Sequence, residues 1–122
     1  MKAPIPILRI FDVVKATEFY TGFLGFKIDW KHEFQEGCPV YMQISREACV
    51  LHLSEHHGDG SPGSALRIET PGLDAFVAAL QAKNYKYFKP GKPSYMPWGS
   101  WEIEAPDPFG NRLVFYERKG PA

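Results

Sequence analysis

The sequence has no excess charge of either sign: 14 basic and 14 acidic residues leave a formal net charge of zero. No long run of like charge occurs. This argues against the basic footprint of a nucleic-acid binder and the cationic arm of a membrane-surface protein. Cysteine is scarce. Cys38 and Cys49 are too few for a disulfide framework and lack C-x-x-C spacing, which points to a reducing compartment. No apolar run approaches the ~18 residues of a membrane-spanning helix. Pro4 and Pro6 interrupt any signal-like apolar stretch near the start. The expectation is a cytoplasmic protein. Catalytic signatures are missing too. There is no G-x-S-x-G elbow, and Gly58-x-Gly60 lacks the strand, helix and lysine of a phosphate loop. The cysteines have no base nearby in sequence.

Apolar bulk is plentiful. Hydrophobic residues make up 44% and aromatics 15% of 122 residues, enough for the core of one compact unit. Ile5 to Phe11 reads as a strand whose prolines confine its start to an edge. Asp12 is a good N-cap. Ala16, Phe19, Tyr20, Phe23 and Leu24 then form one helical apolar stripe, stopped by Gly25 at C′. Strands follow at Phe26 to Phe34, Val40 to Ser45 and Cys49 to Ser54, the last two joined tightly at Arg46-Glu47. Glu55 to Gly63 is a polar, glycine-rich loop.

The pattern then repeats. Leu66-Arg67-Ile68 echoes Leu8-Arg9-Ile10. Thr70-Pro71 offers an N-cap and an N1 proline. Leu73, Phe76, Val77 and Leu80 make a second stripe that ends near Asn84. Tyr85 to Phe88 reads as a short strand, and Lys89 to Pro97 as loop. Ser100 to Ala105 alternates, with Trp101, Ile103 and Ala105 on one face and Glu102 and Glu104 on the other. Asp107-Pro108-Phe109-Gly110-Asn111 is a turn, and Arg112 to Glu117 the strand after it. Each half therefore reads strand, helix, three strands, over about 4–60 and 64–117. Paired βαβββ modules give an α+β fold, a curved mixed sheet with helices outside. The cleft of such a sheet suits a small ligand.

The βαβββ duplication, the Asp12…Phe19-Tyr20…Leu24-Gly25-Phe26 opening and the Asp107-Pro108-x-Gly110-Asn111 turn resemble the vicinal-oxygen-chelate superfamily. This superfamily includes glyoxalase I, extradiol dioxygenases, fosfomycin-resistance enzymes and bleomycin-resistance proteins. Leu53-Ser54-Glu55-His56-x-Gly58-Asp59 and Pro97-Trp98-Gly99 are similar to the bleomycin-resistance branch. The resemblance covers nearly the whole chain, as a single domain over 1–122. At the positions matching the superfamily's metal ligands stand Ile5, Val114 and Ser64–Ala65, which cannot supply its imidazole and carboxylate donors. The resemblance thus implies a metal-free protein, without cofactor or catalytic residue, that sequesters bleomycin-type antibiotics. It also implies a homodimer, with an exchanged N-terminal strand as one arrangement. The alternatives are a metal-dependent lyase or isomerase of the same fold, or a binder of another flat molecule.

The expected ligand-binding residues are Trp98, Trp30, His32, Phe34, Ser54, Trp101, Gly99, Glu33 and Asp59. Trp98 and Trp101 flank a Pro-Gly kink and read either as a ligand platform or as core. Trp30, His32 and Phe34 share a strand face, as ligand wall or as packing. Carboxylates such as Glu33 and Asp59 either hold a cationic tail or are solvated. His52 reads as a half-buried, hydrogen-bonded histidine, and His56-His57 as surface residues.

Overall fold

A computed structural model of the chain describes residues 1–120. Its elements run β1 (Ile7–Arg9), α1 (Val13–Thr17), β2 (Lys27–Glu33), β3 (Val40–Arg46), β4 (Cys49–Ser54), β5 (Ala65–Glu69), α2 (Leu73–Ala82), β6 (Ser94–Tyr95), β7 (Ser100–Pro106) and β8 (Arg112–Arg118). Two four-stranded sheets result, ordered β1-β4-β3-β2 and β5-β8-β7-β6. In each, the first strand runs parallel to the last and the other pairings are antiparallel. The α+β duplication is thus present strand for strand. The chain forms two compact units, Met1–Ser64 with Asp107–Asn111, and the remainder from Ala65. The closing turn therefore groups with the first unit and not with the half in which its sequence lies.

In the first unit Asp12 caps α1 by accepting from Lys15 N at 2.9 Å. The chain then widens into a π-helical turn over Glu18–Phe23, where Leu24 N reaches back five residues to Phe19 O. This keeps Ala16, Phe19, Tyr20, Phe23 and Leu24 all buried. Alternation along β3 and β4 adds Val40, Met42, Ile44, Leu51 and Leu53 to the same core, with Leu8 of β1. Tyr20 Oη donates to Asp107 Oδ2 at 2.7 Å, and burial pushes its phenol well above the ordinary value. Asp107 also accepts from the backbone of Phe109 and Asn111 and from Asn111 Nδ2. Asn111 is fully buried and bonds Arg9 O and Ser64 N, fixing the turn against β1.

The second unit departs from expectation in two places. Thr70-Pro71 does not start α2. Its N-cap is Gly72, in a left-handed conformation, and the Glu117 carboxylate accepts from Gly72 N and Leu73 N. A side chain from β8 thus supplies the acceptor that Thr70 was expected to provide, while Thr70 Oγ1 bonds Ile68 O. Tyr85 to Phe88 forms no strand. The edge strand is Ser94–Tyr95, inside the stretch expected as loop, and Pro93 and Pro97 on either side hold it to two residues. Leu73, Val77 and Leu80 of α2 are buried with Ile103, Ala105, Leu113 and Phe115.

Candidate functional site

The face of the first sheet opposite its core carries chemistry. A bulge between Ile28 and Trp30 shifts the β2 register, so that Trp30 lies opposite Gln43 and His32 opposite Tyr41. Across the next ladder Gln43 lies opposite His52, and Tyr41 opposite Ser54. Trp30, His32, Tyr41, Gln43, His52 and Ser54 therefore share one face. Trp30 is 44% exposed and stacks on Tyr41, with centroids 6.0 Å apart and planes inclined by 14°. His52 meets both rings edge-on.

Polar groups beside these rings form a chain. Tyr41 Oη lies 2.6 Å from His52 Nδ1, His52 Nε2 lies 3.0 Å from Gln43 Oε1, and Gln43 Nε2 donates to Asp29 Oδ2 at 3.0 Å. Ser45 Oγ donates to the other Asp29 oxygen. The Gln43 and Ser45 hydrogen bonds hold the Asp29 carboxyl below its ordinary range. Desolvation, then the nearby Asp59 charge, raise the Tyr41 phenol. Asp59 itself accepts from Ser54 Oγ at 2.9 Å, and Ser54 Oγ accepts from His56 N, so this pair folds the Glu55–Gly63 loop back on β4. Gly60 in that loop sits against β1, where a Cβ would fall 2.6 Å from Ile7 O.

The matching face of the second sheet is arranged differently. Glu102 is buried and accepts two hydrogen bonds from the Arg67 guanidinium, at 3.0 and 2.7 Å, plus others from Ser100 Oγ and Trp98 Nε1. The Arg67 hydrogen bonds first, then those of Ser100 and Trp98, pull its carboxyl from 4.5 down to about 2. Arg67 also lies over the Tyr116 ring. A hollow of about 320 Å³ opens beside this cluster, lined by Phe88, Met96, Glu102, Glu104 and Val114 among others.

Several expected site residues are not brought together. Trp98 is 66% exposed and tethered to Glu102, whereas Trp101 pairs with Glu117 on the other face of the sheet. The Trp101 indole donates to Gly120 O and lines a separate hollow with Val77, Gln81 and Pro93. The two indoles therefore do not form one platform, because they stand on opposite sides of β7. Gly99, at φ +90°, makes the turn between them, with its N–H on Met96 O. Glu33 lies opposite Val40, on the face away from Trp30, and accepts from Gly37 N. It braces a local turn. Phe34 stands just past β2 and is 78% exposed. Trp30, His32 and Ser54 share the first sheet's open face, and Asp59 is bound to Ser54 there.

Sequence reasoning missed Tyr41, Gln43 and Asp29. The first two were legible as the polar alternates of Val40, Met42 and Ile44. Asp29 was not, because only the bulge turns it toward Gln43.

The positions that would hold the superfamily's metal do not fit one. Ile5 is exposed ahead of β1, Val114 lines the second sheet's hollow, and Ser64 and Ala65 precede and open β5. Ile5, Val114 and Ala65 offer no donor, and Ser64 offers neither imidazole nor carboxylate, its hydroxyl donating to Ser61 O. Among the described residues, no group of three or more His, Cys, Asp or Glu side chains is placed to hold a metal ion. No helix among them is long and apolar enough to cross a membrane.

No curated protein sequence matches the chain significantly. Among solved structures, a bleomycin-binding protein complexed with bleomycin superposes with a TM-score of 0.75 at 19% identity, over 98% of this chain and 100% of that one. A bleomycin resistance determinant encoded on transposon Tn5 gives 0.74 at 18% identity, over 98% and 99%. A glyoxalase-related enzyme from Clostridium phytofermentans gives 0.75 at 18% identity, over 98% and 96%. Binding proteins and enzymes thus share this fold. A family model described as glyoxalase superfamily protein matches residues 1–121, and with both βαβββ modules in place the chain belongs to that superfamily.

Proposed function

We propose that the chain is a metal-free binding protein that sequesters a flat, cationic antibiotic of the bleomycin type. The observation that carries this reading is the half-exposed Trp30–Tyr41 stack on the open face of β2 and β3, with Asp29 and Asp59 beside it. Stacked rings offer a heteroaromatic a flat surface, each ring contact adding about 0.5–1.5 kcal/mol beyond area burial. A cation is further favoured over ring faces and near carboxylates. The lack of donors at Ile5 and Val114 supports binding without a metal held by the protein. The likeness in fold to a bleomycin-binding protein supports the choice of ligand class. A second copy of the chain is part of the proposal, since β2 is exposed along its whole length, Ile28 and Trp30 included.

Titration with metal-free bleomycin, followed by tryptophan fluorescence, tests the reading. Saturable quenching that is lost in Trp30→Ala, with native far-UV circular dichroism retained, is the expected result. A flat titration of the folded wild type would remove bleomycin as ligand. Sedimentation equilibrium of the same sample should give twice the chain mass, and a monomer at micromolar concentration would remove the dimer.

A further inference from the structure

The hydrogen-bond chain that runs through Tyr41, His52, Gln43 and Asp29 has a direction. Asp29 is ionised and can only accept, so Gln43 must turn its N–H2 group toward it at 3.0 Å. That orientation leaves Gln43 Oε1 facing His52 Nε2, also at 3.0 Å. An amide oxygen only accepts, so Nε2 carries the hydrogen of the neutral imidazole. Nδ1 is then a bare acceptor, and the Tyr41 hydroxyl 2.6 Å away spends its only hydrogen on it. What Tyr41 has left for a ligand is its oxygen lone pairs. Three residues thereby set the polarity of a fourth, which an isolated tyrosine would leave free.

The charges nearby agree with that polarity. The Asp59 carboxylate is close enough to act on the Tyr41 phenol. Of the cations, Arg9 donates to Glu55 O and lies over the Phe11 ring, and Lys27 pairs with Asp29. Lys31 lies opposite Met42, on the core-side register. His32 and His56 also stand beside Tyr41, by register and by a 6.5 Å ring contact, and the Glu55 carboxylate accepts from the adjoining Val40 N.

The geometry points to a ligand class: this face selects flat cations that carry an N–H donor on their edge, and the Tyr41 hydroxyl oxygen, held as an acceptor by His52, Gln43 and Asp29, reads that donor. The inference rests on the ligand-site reading of the same face and adds which edge chemistry the ligand must present. Tyr41 is the contact residue; His52, Gln43 and Asp29 are positioning residues. A ligand with an acceptor or an anion at that edge meets a lone pair and is disfavoured.

Two experiments test it. The first uses three flat probes at neutral pH: proflavine and acridine orange, both as their N10-methyl cations so that no ring N–H remains, the first with free amino N–H groups and the second with those groups methylated; and 9-anthracenecarboxylate, an anion. The expected order of affinity is proflavine, acridine orange, then the anion, the first two separated roughly five- to tenfold, the worth of one hydrogen bond. Tyr41→Phe keeps the ring and its stacking and should bring the two dyes to equal affinity. A preference that persists in Tyr41→Phe, or tighter binding of the anion, would overturn the proposal alone. Proflavine binding untouched by Trp30→Ala would instead place the dye elsewhere and overturn the reading of the face as the ligand site.

The second experiment needs no ligand. Imidazole nitrogen–proton correlation spectra at pH 8 should show His52 as the Nε2–H tautomer. In Asp29→Asn the Gln43 amide is free to turn, and a share of the Nδ1–H tautomer should appear. A wild-type His52 in the Nδ1–H form would contradict the direction of the chain, and an unchanged tautomer in Asp29→Asn would remove Asp29 from it.

Discussion

The two sheets have the same strand order and the same alternation, yet their open faces have opposite characters. On the second sheet, Glu102 is the hub of four hydrogen bonds from Arg67, Ser100 and Trp98, so its charge is satisfied within the unit. On the first sheet, the chain of Asp29, Gln43 and His52 ends at a tyrosine oxygen with spare acceptor capacity, beside a half-exposed indole. Duplicated topology therefore does not duplicate the polar network it carries. One copy of the module closes its polar network on itself, and the other leaves one end of it open.

The largest effect expected lies outside both open faces, in the closing turn that groups with the first unit. Asp107→Ala removes the acceptor of the buried Tyr20 hydroxyl and of the Asn111 backbone N–H together. Hydrogen bonds to a charged acceptor are worth about 1.5–3 kcal/mol each, so urea denaturation should show a loss of about 3 kcal/mol or more. Next comes the hub of the second sheet. Glu102→Gln keeps the shape but removes the charge from Arg67, and should cost about 1–3 kcal/mol. It should leave ligand affinity on the first sheet unchanged. Trp30→Ala should do the reverse, weakening binding of metal-free bleomycin by about 1–3 kcal/mol in calorimetry with little loss of stability.

A pH dependence sharpens the same contrast. The folded Glu102 carboxyl titrates at about 2 against an ordinary 4.5. Its contribution to stability is therefore fully present above pH 4.5 and is lost as pH falls through about 2. Thermal melts should decline over that window, and Glu102→Gln should flatten that part of the curve. The smallest effect belongs to Arg112→Ala. Its pair with Glu104 is about half exposed on both sides, and such pairs contribute within about 0.5 kcal/mol.

Much of this architecture was readable from the sequence because local pattern and tertiary role agree. Asp12 caps α1, the stripe from Ala16 to Leu24 is buried, and Cys49–Ser54 is a strand to the residue. Asp107 bonds its own turn, as its spacing implied. What escaped was set by distant partners. Glu117 supplies the acceptor at the start of α2 from 45 residues away, so Thr70-Pro71 carried a local signal that a tertiary contact overrode. Trp98 and Trp101 are three residues apart, but the turn at Gly99 and the alternation of β7 send them to opposite faces. Strand parity turns Glu33 to the face away from Trp30. A β-bulge brings Asp29 to Gln43, and it leaves no mark in a pattern of period two.

The most direct test of the central claim is a backbone and indole amide NMR titration of the wild-type chain with metal-free bleomycin. Saturable shift changes concentrated on Trp30, Tyr41, Gln43 and His52 are expected. Saturable changes confined to the hollow around Trp101, with those four residues unmoved, would contradict it.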